Sequence, residues 1–109
     1  MAWVRAAARA DLDGREVLGV RCGKWPVALY ALADGIYATS NPCPHMGALL
    51  SYGCVVQGHI ECPMHHALFD IRTGASDGSV TDRALQTFPV KLEAGDIFVD
   101  LPGAEENVK

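Results

Sequence analysis

The sequence predicts an all-β domain, a sandwich or barrel of antiparallel sheets. Short runs rich in β-branched and aromatic residues recur along the chain, each bounded by turn residues. The only helix-like stretch, Ala6–Ala10, is brief and uncapped. The 109 residues make one domain, long enough to bury about two-thirds of the unfolded surface.

The predicted strands are Trp3–Ala7, Glu16–Val20, Val27–Leu32, Ile36–Thr39, Val55–Val56, His59–Cys62, Leu68–Ile71, Gln86–Leu92 and Ile97–Leu101. Asp34-Gly35, Gln57-Gly58 and Gly95-Asp96 are hairpin-type turns between them, and Arg72-Thr73-Gly74 is a further turn. Residues 1–101 form the domain, and the polar segment 102–109 is expected to fray.

Composition narrows the function. Nine basic and 13 acidic residues give a formal charge of −4, which argues against nucleic-acid binding. An acidic carrier docking on a basic partner remains compatible with it. No segment offers a signal-peptide core or the ~20 apolar residues needed to span a bilayer. The expected setting is therefore the reducing cytoplasm, with thiols free or metal-bound rather than paired as disulfides.

The chemistry lies in two cysteine–histidine pairs. Cys43-Pro44-His45 and Cys62-Pro63-Met64-His65 are separated by sixteen residues. Two thiolates and two imidazoles make a four-ligand metal set. Zinc accepts these ligands, but its usual spacings are C-x₂₋₄-C and H-x₃₋₅-H. Here each loop carries one ligand of each kind. That suits a [2Fe–2S] centre in which two His replace two Cys on one iron. The predicted hairpin between the loops, turning at Gln57-Gly58, brings its ends together. The two pairs should then face each other across one gap. His66 leaves a second register open, Cys62-x-x-x-His66.

At these residues the chain resembles the Rieske-type [2Fe–2S] ferredoxins, whose pattern is C-x-H followed by C-x-x-H. The likeness extends over most of Trp3–Leu101. It includes Ile36-Tyr37-Ala38-Thr39-Ser40-Asn41, Leu68-Phe69-Asp70, Thr73-Gly74 and Thr87-Phe88-Pro89-Val90. It is strongest toward the ferredoxin components of multicomponent aromatic-ring dioxygenases. The resemblance implies the Rieske fold, with a small cluster-binding subdomain at about 41–80. It implies one [2Fe–2S] cluster held by Cys43, His45, Cys62 and His65. It implies no catalysis by the chain itself, only one-electron transfer from a flavin-dependent reductase to a terminal oxygenase, each bound transiently. A small subunit of a larger oxidoreductase, such as a nitrite reductase, is the alternative within the same fold. A structural zinc module is the alternative outside it.

The resemblance also positions the potential. High-potential relatives carry a disulfide between the ligand loops and hydroxyl donors after the second one. The matching positions here are Ala48, Met64, Ala67 and Phe69. Fewer donors leave the reduced cluster less stabilised, so a midpoint near −150 mV, the low end of about −150 to +300 mV, is expected. The family's cluster-covering loop corresponds to Asp77–Leu85, where its proline is missing.

The remaining residues have plainer expectations. Cys22 and Cys54 are inert, and His59, Glu61 and Asp70 are solvated strand residues. Trp3, Trp25, Tyr30, Tyr37 and Phe98 are core. Met46 and Met64, with Pro44 and Pro63, shield the cluster or form an apolar docking face.

Overall fold

The computed structural model describes residues 2–44, 47–64, 66–78, 81 and 83–102. Among them are ten strands: β1 Ala2–Ala8, β2 Val17–Cys22, β3 Trp25–Leu32, β4 Gly35–Ser40, β5 Cys54–Val56, β6 His59–Glu61, β7 Leu68–Asp70, β8 Thr87–Phe88, β9 Val90–Glu93 and β10 Asp96–Leu101. They form three antiparallel sheets, ordered β1-β10-β9, β2-β3-β4-β8 and β5-β6-β7. The all-β expectation holds.

The first two sheets sandwich one core. Ala7, Ile97, Val99 and Leu101 face Cys22, Val27, Leu29, Ala38 and Phe88 across it. A second core joins β3 to the small β5-β6-β7 sheet. It contains Ala28, Tyr30, Leu50, Ile60, Phe69 and Ile71. The run Val27-Ala28-Leu29-Tyr30 is wholly buried. Alternate side chains of a strand point to opposite faces. So β3 feeds Val27 and Leu29 into one core and Ala28 and Tyr30 into the other. Its unbroken hydrophobicity, where edge strands alternate, has this cause.

Several local departures have clear reasons. The predicted strand Gln86–Leu92 is two strands, split at Pro89. Proline cannot donate to a ladder, and here the chain changes sheets: β8 pairs with β4, β9 with β10. Ala6–Ala8 belongs to β1, and a 3₁₀ turn follows at Arg9–Leu12. Strand pairing thus overrides alanine's weak helical preference. The hairpin turns at Ala33-Asp34 and Ala94-Gly95 sit one residue earlier than expected, since Leu32 pairs with Gly35 and Glu93 with Asp96. The Gln57-Gly58 turn falls where predicted, both residues having positive φ as such two-residue hairpins require.

The aromatic expectations divide. Tyr30 is fully buried, and its hydroxyl lies 2.8 Å from that of Thr39, also fully buried. Burial pushes the phenol pKa up to about 12, against the opposing pull of Thr39. Trp25 is half-buried and meets Phe88 edge-on at 5.6 Å. Trp3 is not core. It is 42 % exposed on the outer face of β1, under the Lys91 ammonium at 4.8 Å from the ring centroid.

Two polar ties join the sandwich to the small sheet. Arg72, after β7, donates to both carboxylate oxygens of Asp34 at 2.8 and 3.2 Å and stacks over Tyr37. The second tie, at Asn41, closes the neck of the first ligand loop.

Candidate metal centre

Cys43 opens a loop of six residues, 43–48, enclosed by the bridge pairing Pro42 with Leu49. Cys62 opens a second loop of six, 62–67, enclosed by the β6–β7 pair Glu61–Leu68. In each, the cysteine amide donates to the carbonyl of the sixth residue, Cys43 N to Ala48 O at 2.7 Å and Cys62 N to Ala67 O at 2.8 Å. In each, the fifth residue has positive φ, 75° at Gly47 and 58° at His66. Cysteine comes first, proline second, alanine sixth. Two copies of one loop, CPHMGA and CPMHHA, thus face each other with His and Met exchanged at positions three and four.

The β5–β6 hairpin brings the copies together, much as the spacing requires. The chain leaves the first loop through a 3₁₀ turn at Leu50–Tyr52 and enters β5 at Cys54, which pairs with Glu61. Between them Gly53 lies so close to β6 that a Cβ would stand 1.9 Å from the carbonyl oxygen of Glu61. Beyond the hairpin, β7 extends the pair into a three-stranded meander, which places the second loop at the β6–β7 end.

Cys43 and Cys62 are 2 % and 0 % exposed, and all four cysteines are free thiols. Cys43 and Cys62 belong to one buried cluster. Burial pushes the Cys62 thiol up; the Met64 amide pulls it down, and Cys43 raises it further. Two buried thiols suit a cationic metal centre, which binds them as thiolates and compensates their charge. The apolar cradle of Leu50, Ile60, Ala67 and Phe69 keeps the spot dry. The donor chemistry therefore fits an iron–sulfur group. His45 and His65, together with Met46, lie outside the described residues.

A family model described as the Rieske [2Fe–2S] domain matches residues 2–89. The chain belongs to that family. Its cofactor is a Rieske-type [2Fe–2S] cluster, which removes the zinc alternative. Along 99 residues it is 37 % identical to the ferredoxin component of the naphthalene 1,2-dioxygenase system of Pseudomonas putida, covering 91 % of this chain and 95 % of that protein. The ferredoxin of Sphingomonas yanoikuyae B1 superposes with a TM-score of 0.85 at 31 % identity, over 93 % of this chain and 100 % of that one. The ferredoxin in a complex of reduced oxygenase and oxidised ferredoxin of carbazole 1,9a-dioxygenase gives a TM-score of 0.80 at 34 % identity, over 89 % and 91 %. Like these ferredoxins, this Rieske protein is an electron carrier rather than an enzyme.

Other expected residues take definite places. His66 is exposed, with Nδ1 3.3 Å from a Glu61 carboxylate oxygen. Asp70 is more than a solvated strand residue. Its carboxylate accepts from the amides of Arg72 at 2.8 Å and Thr73 at 3.0 Å and so shapes the turn after β7. Burial pushes that carboxyl up, but the Thr73 and Arg72 amides, with His59 and the Thr73 hydroxyl, hold it below its ordinary value. Cys22 sits in the sandwich core, its thiol pushed up by burial, while Cys54 is exposed. Of the loop at 77–85, Ser79, Val80 and Asp82 lie outside the described residues. Arg83 reaches the first ligand loop, 3.5 Å from the Pro44 carbonyl. Sequence reasoning missed the loop duplication, although CPxxxA twice was the signal.

Proposed function

We propose that this ferredoxin takes single electrons from a flavin-dependent reductase and delivers them to the terminal oxygenase of an aromatic-ring dioxygenase system. Cys43, His45, Cys62 and His65 are the proposed ligands. The observation that carries this reading is the matched pair of loops with their thiols buried in one shared core. The cluster, when bound, supplies a one-electron couple with no position left for substrate.

The chain's own residues do the rest. Each loop is closed at its base by a cysteine amide. His45 and His65, third and fourth in their loops by sequence, are the proposed edge through which electrons pass. Met64, in the second loop, is 46 % exposed, and Tyr52, in the 3₁₀ turn after the first, 77 %. These, with exposed Pro63 and Leu49, are the proposed apolar contacts for docking. A carrier must release each partner quickly, and contacts of this kind bury under about 1,200 Å². The Rieske domain is assigned to 1–101, the cluster subdomain to about 41–80, and the setting to the cytoplasm. Segment 103–109 of the expected frayed tail lies outside the described residues.

The test combines spectroscopy and reconstitution. Reduced protein should give the low-temperature EPR signal of a His-ligated [2Fe–2S] centre. C43S, H45A, C62S and H65A should each lose it. With the reductase and oxygenase of a naphthalene-type system, the intact protein should restore NADH-driven product formation. A full signal in any of the four variants removes that residue from the ligand set. Failure with every such oxygenase, despite a normal signal, overturns the partner assignment.

A further inference from the structure

The neck of the first ligand loop is held by side chains rather than by a sheet. Asn41 is 5 % exposed. Its Oδ1 accepts from the Ser51 amide at 2.9 Å, and its Nδ2 donates to the Ser51 hydroxyl at 3.1 Å. Its backbone is equally committed: the amide donates to Pro26 O in β3, and the carbonyl accepts from Leu50 N. The clasp leans on β2, where a Cβ on Gly19 would stand 2.6 Å from Ser51 Oγ and 2.9 Å from Asn41 Nδ2. The second loop needs no such device, because the β6–β7 ladder closes it.

We propose that Asn41 and Ser51 are positioning residues for the cluster, holding the loop of Cys43 and His45 in register with the ladder-held second loop. Gly19 is the part of β2 that leaves room for them. The inference rests on the assignment of Cys43 and His45 as ligands. Without the clasp, backbone contacts alone hold the neck among the described residues: the isolated bridge between Pro42 and Leu49, the Leu50–Asn41 bond and the Cys43–Ala48 bond. The loop should then open more often, exposing the cluster to competitors for iron.

The test measures release of iron from holoprotein to a chelator, by bleaching of the visible spectrum. N41A, losing both side-chain bonds, should release iron about tenfold faster. S51A, which keeps the amide bond to Oδ1, should release it about threefold faster. N41D should fall between wild type and N41A, since the Ser51 hydroxyl can turn to donate to the new oxygen. In hydrogen exchange, the Leu50 amide of N41A should lose protection by the same factor, while Val27 and Leu29 of β3 stay unchanged. A general structural role would instead lower all these amides together. Release within twofold of wild type in both N41A and S51A, or equal loss of protection in β3, overturns the proposal. Should N41A not fold, S51A carries the test alone. A C43S variant separates the two levels: if it retains the full cluster, the ligand assignment fails rather than the clasp.

Discussion

His66→Gly is the most revealing single change. In the first loop the fifth position is Gly47, with φ 75°; in the second it is His66, with φ 58°. A non-glycine residue in this left-handed region costs about 1 kcal/mol or more. Glycine removes that strain, but its freer unfolded chain returns about 0.4–1 kcal/mol. The Glu61 contact is lost as well, yet His66 is 79 % exposed and such pairs contribute about 0–1 kcal/mol. The contributions nearly cancel, so H66G should fold with its melting temperature within about 8 °C of wild type. It should also keep a full [2Fe–2S] spectrum, because the side chain turns toward Glu61 and the glycine restores the backbone preference of the matching loop. His66→Val is the control, since a branched Cβ tolerates positive φ poorly. It should lose more stability than H66G. Visible absorption, iron content and thermal unfolding of H66G, H66V and H65A read the outcome. Loss of the cluster in H66G with retention in H65A would show that His66 is the ligand and that the loop correspondence fails at its fifth position.

Other outcomes follow from burial, charge and close approach. Phe69→Ala empties a fully buried site under the ligand loops and should cost about 3–5 kcal/mol, read by denaturant unfolding and by lower iron content per chain. Gly53→Ala forces a Cβ into the Glu61 carbonyl and should prevent cluster incorporation, whereas Gly14→Ala, with open space around it, should not. The Arg72 hydrogen bond, opposed by burial and aided by the Tyr37 hydroxyl, holds the Asp34 carboxyl below its ordinary value. Its contribution is therefore full above the unfolded carboxylate range and disappears as pH falls through the lowered folded value. Arg72→Gln should flatten that acid limb by lowering stability modestly at neutral pH, the pair being exposed, and leave stability below the lowered folded value nearly unaffected. A redox titration should place the midpoint near −150 mV, and Phe69→Tyr, adding a hydroxyl in the buried cradle, should move it upward; a wild-type value above about +100 mV contradicts the donor argument.

The sequence made the strands legible because most lie between glycine or proline turns and carry branched or aromatic residues. It hid the sheet change at Pro89, since periodicity says nothing about which neighbour a strand pairs with. It misplaced Trp3, whose aromatic character suggested burial, whereas the register opposite Asp100 puts it on the outer face. The two cysteine–histidine pairs stood out as candidate ligands from spacing alone, and the structure buries both cysteines in one core. The positive φ at His66 was not legible, because histidine carries no signal for it; only comparison with Gly47 reveals the match. Asn41–Ser51 escaped for a similar reason. Two ordinary polar residues ten apart mean nothing until the loop between them is seen to need a neck.

An electron carrier should hold its centre nearly still, because any rearrangement between redox states adds to the barrier for transfer. The architecture works toward that end. Both cysteines, the proposed cluster ligands, lie at loop bases whose amides are already bonded, which fixes their backbone positions. Those bases rest on a core that shares β3 with the sandwich. A displacement of the loops must therefore disturb close-packed side chains on both faces of one strand, which is costly. The exposed residues of this region have the opposite character. Met64 and Tyr52 lie open to solvent, where the proposed partners would meet them. Rigidity and recognition are thus divided between buried base and exposed residues. Changes at the exposed residues should alter which partner is accepted and how fast it leaves, while changes under the loops should alter whether the cluster is held at all.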